Sequence, residues 1–199
     1  FVKALTENRF SIPSFIFIIL LSKFAGSYII YNKHLKGAIY MIGDMQNWRP
    51  NVAGIIEHAR SMHPNTEVVS RLVSGEIHKT NYEEVCIRSR KLASALEKDG
   101  IKKGDVVATL ALNTYRHLEM YYGISGMGAI THTLNFRLHP EQAVYIINHA
   151  EDKMIFVELP FVPILEGLQD NLSTVEKYVV LCNEDEMPET SLKNALSYE

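Results

Sequence analysis

The sequence predicts an α/β fold: a mostly parallel β-sheet flanked by helices, with a β-hairpin near its start. From residue 106 onward, short apolar runs alternate with amphipathic helical runs in the order β-α-β-α-β-α-β. Alternation of this kind argues a parallel sheet with right-handed helical crossovers. The first run, residues 106–112 (VVATLAL), is apolar almost throughout, as suits a strand buried on both faces. Ahead of it, two short runs flank Ser74 and Gly75, a turn signal between paired strands.

Residues 1–40 stand apart. They are rich in Phe, Ile, Lys, Asn and Tyr, and the first methionine is Met41. The uncharged run 10–22 falls short of the ~20 apolar residues of a membrane helix. Extending it to Ile30 brings Lys23 inside, at ~2.5–3.5 kcal/mol for a central lysine. Lys3 and Arg9 precede the run as in a signal peptide, but Glu7 interrupts the basic region and no small-x-small cleavage site follows. The segment reads as an upstream extension outside the working protein, against the alternatives of a weak anchor or signal and a genuine structural extension.

The remaining elements follow in order. Val52, Ile55, Ile56, Ala59 and Met62 recur at helical spacing, so 51–62 reads as an amphipathic helix that Pro64 and Asn65 end. Residues 68–72 and 76–80 form the hairpin. Thr80 and Glu83 have capping-box spacing. They open a helix with apolar face Tyr82, Val85, Cys86, Leu92, Ala93 and Leu96, and Gly100 is placed to stop it. After strand 106–112, a helix beginning past Thr114 presents Leu118, Tyr121 and Tyr122 as its inner face. Strand 129–134 follows. Pro140 suits the first turn of the next helix, whose face is Ala143, Val144, Ile147 and Ala150. Residues 154–157 and 178–181 read as strands around a short helix at 163–168. Residues 183–190 form an acidic loop, and 191–198 begin another helix.

The chain has 199 residues, 47% apolar and 22% charged, enough for one domain with a sizeable core. A net charge of −3 gives no reason to expect nucleic acid or an anionic membrane as partner. Cys86 and Cys182 lack C-x-x-C spacing and read as reduced core cysteines of a cytoplasmic protein.

The usual chemical signatures are missing. There is no Walker loop. Gly123, Gly126 and Gly128 miss the dinucleotide spacing and sit at a helix end, where a phosphate site needs them at a helix start. Ser125 misses the nucleophile-elbow position by one residue. These glycines read as packing and turn residues. His58 and His63, and His132 and His139, match no zinc motif and read as surface or hydrogen-bonded core histidines. Glu184, Asp185 and Glu186 read as a solvated loop. Tyr121 and Tyr122 divide between core and surface, the other reading being that one lines a substrate cavity.

A family resemblance takes the reading further. The residues that carry it are 41–45 (MIGDM), 48–50 (WRP), 57–59 (EHA), 66–71 (TEVVSR), Gly75, Ile77, His78, 80–84 (TNYEE) and 104–109 (GDVVAT). The densest part comprises Asn113, Thr114, 116–119 (RHLE), 126–129 (GMGA), 132–135 (HTLN), Arg137, Leu138 and 145–152 (YIINHAED). From Met41 to about Cys182 the chain resembles the adenylate-forming (AMP-binding) acyl-CoA synthetases, especially the bacterial fatty-acid–CoA ligase branch. Residues 41–199 then resemble an incomplete first subdomain of that family's N-terminal domain.

The resemblance implies a fatty acid, ATP and CoA as substrates, with Mg²⁺ assisting, acyl-adenylate forming first and the thioester second. It also implies support of an acyl pocket and a possible homodimer contact. The family's Ser/Thr/Gly-rich phosphate loop, and the adenine and lysine contacts beyond it, have no counterpart among these residues. So no catalytic, cofactor-binding or metal residue is carried over, and the fragment is expected to be inactive. The rival expectations are a stand-alone binding or interaction module derived from this fold, and a membrane-anchored α/β protein using residues 15–30.

Overall fold

The computed structural model describes residues 51–199. The expectations for residues 1–40 lie outside the described residues.

Helix α1 (Val52–Met62) starts where Asn51 accepts a hydrogen bond from the Gly54 amide at 2.7 Å. Only Ile56 of its apolar stripe is buried; Val52, Ile55 and Met62 are exposed. The spacing predicts an amphipathic helix, and its packed side is Ile56 with Ala59 partly buried beside it. Strands β1 (Glu67–Arg71) and β2 (Ile77–Asn81) pair antiparallel, with Gly75 in the left-handed region at φ 89°. The hairpin stands as expected.

Helix α2 (Tyr82–Lys98) is capped differently from the expectation. Asn81, not Thr80, accepts the Glu84 amide at 2.9 Å, while the Thr80 hydroxyl donates to the Glu84 carboxylate at 2.7 Å. Asparagine lies at the residue with extended backbone, where a cap must sit. Val85, Cys86, Ser89 and Leu96 are buried along α2, and Gly100, at φ 91°, ends it as predicted.

The sheet has strand order β4-β3-β5-β6-β7, all neighbours parallel. Its strands are β3 (Val106–Leu110), β4 (Ile130–Thr133), β5 (Asp152–Val157), β6 (Lys177–Val180) and β7 (Ala195–Ser197). Helix α3 (Tyr115–Gly126) links β3 to β4, α4 (Pro140–Ala150) links β4 to β5, and α5 (Val162–Leu168) lies between β5 and β6. One core packs Ala108, Leu110, Ile155 and Val157 against Ile147 of α4 and Leu165 of α5. The other packs Val107, Met154 and Phe156 against Leu96 of α2 and Met120 and Ile124 of α3. The sheet is thus covered on both faces, as its apolar strands require.

Two further expectations are corrected. Residues 191–198 do not begin a helix. The side chains of Glu166 and Gln169 accept the amides of Ser191 and Lys193 at 2.7 and 3.1 Å. Asn194 then turns at φ 53°, so that Ala195–Ser197 joins the sheet edge. Of the predicted inner face of α3, Leu118 and Tyr122 pack partly buried against Ile56, Val85 and Cys86, while Tyr121 is exposed. Burial falls on Met120, Gly123 and Ile124, together with Arg116, His117 and Glu119.

Cys86 and Cys182 are buried and unbridged. Among the described residues no helix is long and apolar enough to cross a membrane.

Candidate functional site

The strand order marks one place for a site. β3 runs through α3 to β4 on one side of it, and β5 runs through α5 to β6 on the other. α3 and α5 cover opposite faces. In open α/β sheets the crevice at the carboxyl ends of two such strands is where ligands bind. Here those ends belong to β3 and β5.

At that point the chain is stitched together by Glu158, which follows β5. Its amide donates to the Leu110 carbonyl at 2.9 Å, and its carboxylate accepts the Leu112 amide at 3.3 Å. Burial raises the Glu158 carboxyl pKa, against the Leu112 amide and the nearby charge of Arg116. Thr109, near the end of β3, has its hydroxyl 3.1 Å from His117 Nε2. The His117 ring stacks on Tyr121 with centroids 4.6 Å apart. Burial lowers the His117 pKa, so its neutral form is favoured; a hydrogen bond with the Leu112 backbone works the other way.

Thr114 is the N-cap of α3, yet its hydroxyl caps nothing and lies buried without a partner. Beside it is a cleft of about 280 Å³ between the hairpin and α3, with Val69 and Ser70 on one side and His117 and Tyr121 on the other.

A second polar cluster lies under β7. Arg88 Nε donates to Glu119 at 2.7 Å, and Tyr198 donates its hydroxyl to the same carboxylate at 2.8 Å. Arg88 also pairs with Glu199 at 2.8 Å, and Arg116 reaches the Leu181 carbonyl, Asn183 and Glu199. Burial raises the pKa of Glu119 and of Tyr198. For Glu199 burial acts the same way, but the bonds from Arg88 and Arg116 win and hold it below the usual carboxylate range. Every charge is spent on a neighbour, so this cluster acts as a clasp and offers no free acid or base.

The residues singled out in the sequence do not converge. Gly123 packs against α2, and Gly128 takes φ 92° at the turn into β4, as packing and turn residues do. Gly126 meets only Ala53, at ordinary contact distance. His58 and His63 are exposed. His132 pairs with the buried Asp152 at 2.8 Å, and His139 precedes α4. Among the described residues no three His, Cys, Asp or Glu side chains converge as metal ligands. Glu184, Asp185 and Glu186 are exposed. Tyr122 is partly buried and Tyr121 exposed, so the pair divides as predicted. The sequence reading missed Thr114, Arg116, His117, Glu119 and Glu158 as buried polar residues. The available signal was polar residues 116, 117 and 119 on a helix between apolar strands.

A family model, that of the AMP-binding enzyme, matches residues 56–198. The chain belongs to the AMP-binding enzyme family. It is 43% identical over 149 residues to the long-chain-fatty-acid–CoA ligase of Thermus thermophilus, covering 75% of this chain and 26% of that protein. It is 40% identical over 159 residues to the medium-chain-fatty-acid–CoA ligase of Ectopseudomonas oleovorans, covering 80% and 29%. The chain therefore spans little more than a quarter of these relatives' length.

Among solved structures it is similar to the fatty acyl CoA synthetase of Mycobacterium tuberculosis, with TM-score 0.60, 22% identity and 65% of this chain and 26% of that one covered. It is also similar to the coronafacic acid ligase of Pectobacterium brasiliense, with TM-score 0.63, 18% identity and 73% and 28% covered. These likenesses place the parallel sheet, its flanking helices and the hairpin within the fold of adenylate-forming enzymes.

Proposed function

We propose that this chain is the N-terminal part of a fatty-acid–CoA ligase. The whole enzyme joins a fatty acid to ATP as an acyl-adenylate and then transfers the acyl group to the CoA thiol. Adenylation turns a carboxylate, a poor electrophile, into one with a good leaving group, and Mg²⁺ offsets the phosphate charge. The observation that carries this reading is identity of 40–43% to two fatty-acid–CoA ligases over at least three quarters of this chain.

Within such an enzyme this chain supplies scaffold, and none of its residues is assigned to catalysis, ATP, CoA or Mg²⁺. Two facts support that division. The buried Glu119 and Arg116 are already paired with Arg88 and Glu199. The 199 residues also contain no Ser/Thr/Gly-rich loop of the kind that cradles phosphate at a helix start.

Two measurements test the reading. ATP–pyrophosphate exchange by the isolated chain with a fatty acid is expected to equal the blank, and exchange above the blank overturns the scaffold assignment. Residues 56–198 grafted in place of their counterpart in the Thermus ligase are expected to leave acyl-CoA synthesis in place. A folded graft without that activity overturns the ligase assignment.

A further inference from the structure

A groove of about 420 Å³ runs between α1, α2 and α3, away from the strand ends and from the clasp. It exists because small residues stand where the three helices meet: Gly54 of α1, Ala93 of α2 and Gly126 of α3. A Cβ at Gly126 would find only Ala53, 3.9 Å away, so the helices do not close over this space. Ile56, Tyr122 and Met127 make the wall apolar. Ser89 lines it too, but its hydroxyl is committed to the Val85 carbonyl at 2.7 Å. A volume within ~300–1,000 Å³, an apolar lining and a few placed polar groups are what a small-molecule site requires.

The charges at the groove select the guest. Glu57 and Arg90 are the only charged residues among its described walls, and Glu57 stands one turn of α1 beyond Ala53. One oxygen of the Glu57 carboxylate accepts Arg60 Nε at 3.0 Å; the other accepts a terminal nitrogen of Arg90 and, at 3.6 Å, the Cys86 thiol. Both oxygens are engaged, which leaves little for a cation. Arg90 is the opposite case. Its side chain is 64% exposed, and among the described residues only that one nitrogen is bonded. The rest of its guanidinium fork is open to an oxyanion. Two guanidiniums against one carboxylate also leave positive charge in excess. Glu83, the other acid near Arg60, is not part of the wall.

We propose that this groove binds an organic anion with a drug-sized apolar body. The body lies along Ala53, Gly54 and Gly126, and Arg90 holds the anionic oxygens. The assignment is independent of the ligase reading.

The test uses the full chain and two dyes that differ in one group: anilinonaphthalenesulfonate and its uncharged parent, phenylnaphthylamine. Both brighten in apolar surroundings, and amide NMR locates them. The sulfonate is expected to bind saturably, with amide shifts concentrated in residues 53–57, 86–93 and 122–127. The uncharged dye is expected to bind at least about tenfold more weakly, the strength of one charge-assisted hydrogen bond.

Arg90→Gln is expected to weaken the sulfonate about tenfold and to leave the uncharged dye unchanged; Glu57 keeps Arg60 in that variant. Gly126→Leu puts its side chain into the groove from a helical position where a Cβ meets no close neighbour, and is expected to abolish binding of both dyes. It decides the matter if Arg90→Gln does not fold. Non-saturable binding, shifts centred elsewhere, equal binding of the two dyes, or unchanged sulfonate binding in either variant each overturn the proposal.

Discussion

Gly123 of α3 lies so close to Ser89 of α2 that a Cβ at position 123 would sit 2.9 Å from the Ser89 carbonyl oxygen and from Leu92 Cδ2. Backbone cannot yield as a flexible side-chain tip does. Gly123→Ala is therefore expected to cost about 1–3 kcal/mol, the usual penalty of overpacking. At Gly126 the nearest atom to such a Cβ is Ala53 Cβ at 3.9 Å. Gly126→Ala is expected to be neutral or stabilising by up to about 1 kcal/mol through helix propensity. Urea denaturation of both variants checks this, and equal effects would remove the close-packing role of Gly123.

The two acids that share Arg88 should respond to pH in opposite directions. The pKa of Glu119 is raised from 4.5, chiefly by burial. Its contribution to stability is full below 4.5 and is lost as pH rises through the folded value. The pKa of Glu199 is lowered: burial pushes it up, but the bonds from Arg88 and Arg116 outweigh that. Its contribution is present above 4.5 and is lost as pH falls through the folded value. The stability advantage of the parent over Glu119→Gln should therefore shrink with rising pH, while its advantage over Glu199→Gln grows. Denaturation across the acid range reads both slopes, and parallel slopes would contradict the clasp.

His117 gives a third pH test. Its pKa is lowered from 6.5, first of all by burial. The neutral imidazole then stabilises the fold above 6.5, and this support is lost as pH falls through the folded value. Imidazole proton NMR is expected to place its midpoint below 6.5, and His117→Gln to flatten that part of the stability profile. A midpoint at or above 6.5 would refute the assignment.

Adjacent positions on α5 separate core from surface. Leu165 is 1% exposed and Ile164 is 41% exposed. Leu165→Ala is expected to cost about 2–5 kcal/mol as a cavity-forming change, and Ile164→Ala to stay within about 0.5 kcal/mol. Thermal melts of the two variants compare them directly.

The sheet was legible because its strands are apolar on both faces: Val107, Ile155, Phe156 and Val180 have nowhere to go but inside. The polar interior of α3 was not legible. Periodicity assigns Arg116, His117 and Glu119 to the surface, yet Arg116 is satisfied by Leu181 and Asn183, and Glu119 by Tyr198. Those partners come from the far end of the chain, and no local window contains them. The same holds for β7, whose preceding amides are claimed by Glu166 and Gln169. Thr114 was legible as a helix start but not as an idle one, because an idle cap shows only when its hydroxyl is seen to bond nothing.

The strand order β4-β3-β5-β6-β7 also has a consequence for biosynthesis. β3 is the first strand of this sheet to leave the ribosome, yet it ends up between strands made later. β4 can cover one of its edges soon after, but the other waits until residue 157 has emerged. At about 5–20 residues per second, that edge stays open for some seconds. An uncharged, β-prone segment with a bare edge is what neighbouring nascent chains pair with. The hazard to this protein on a crowded polysome is therefore set by elongation speed between residues 110 and 157, and ribosome pausing there prolongs it.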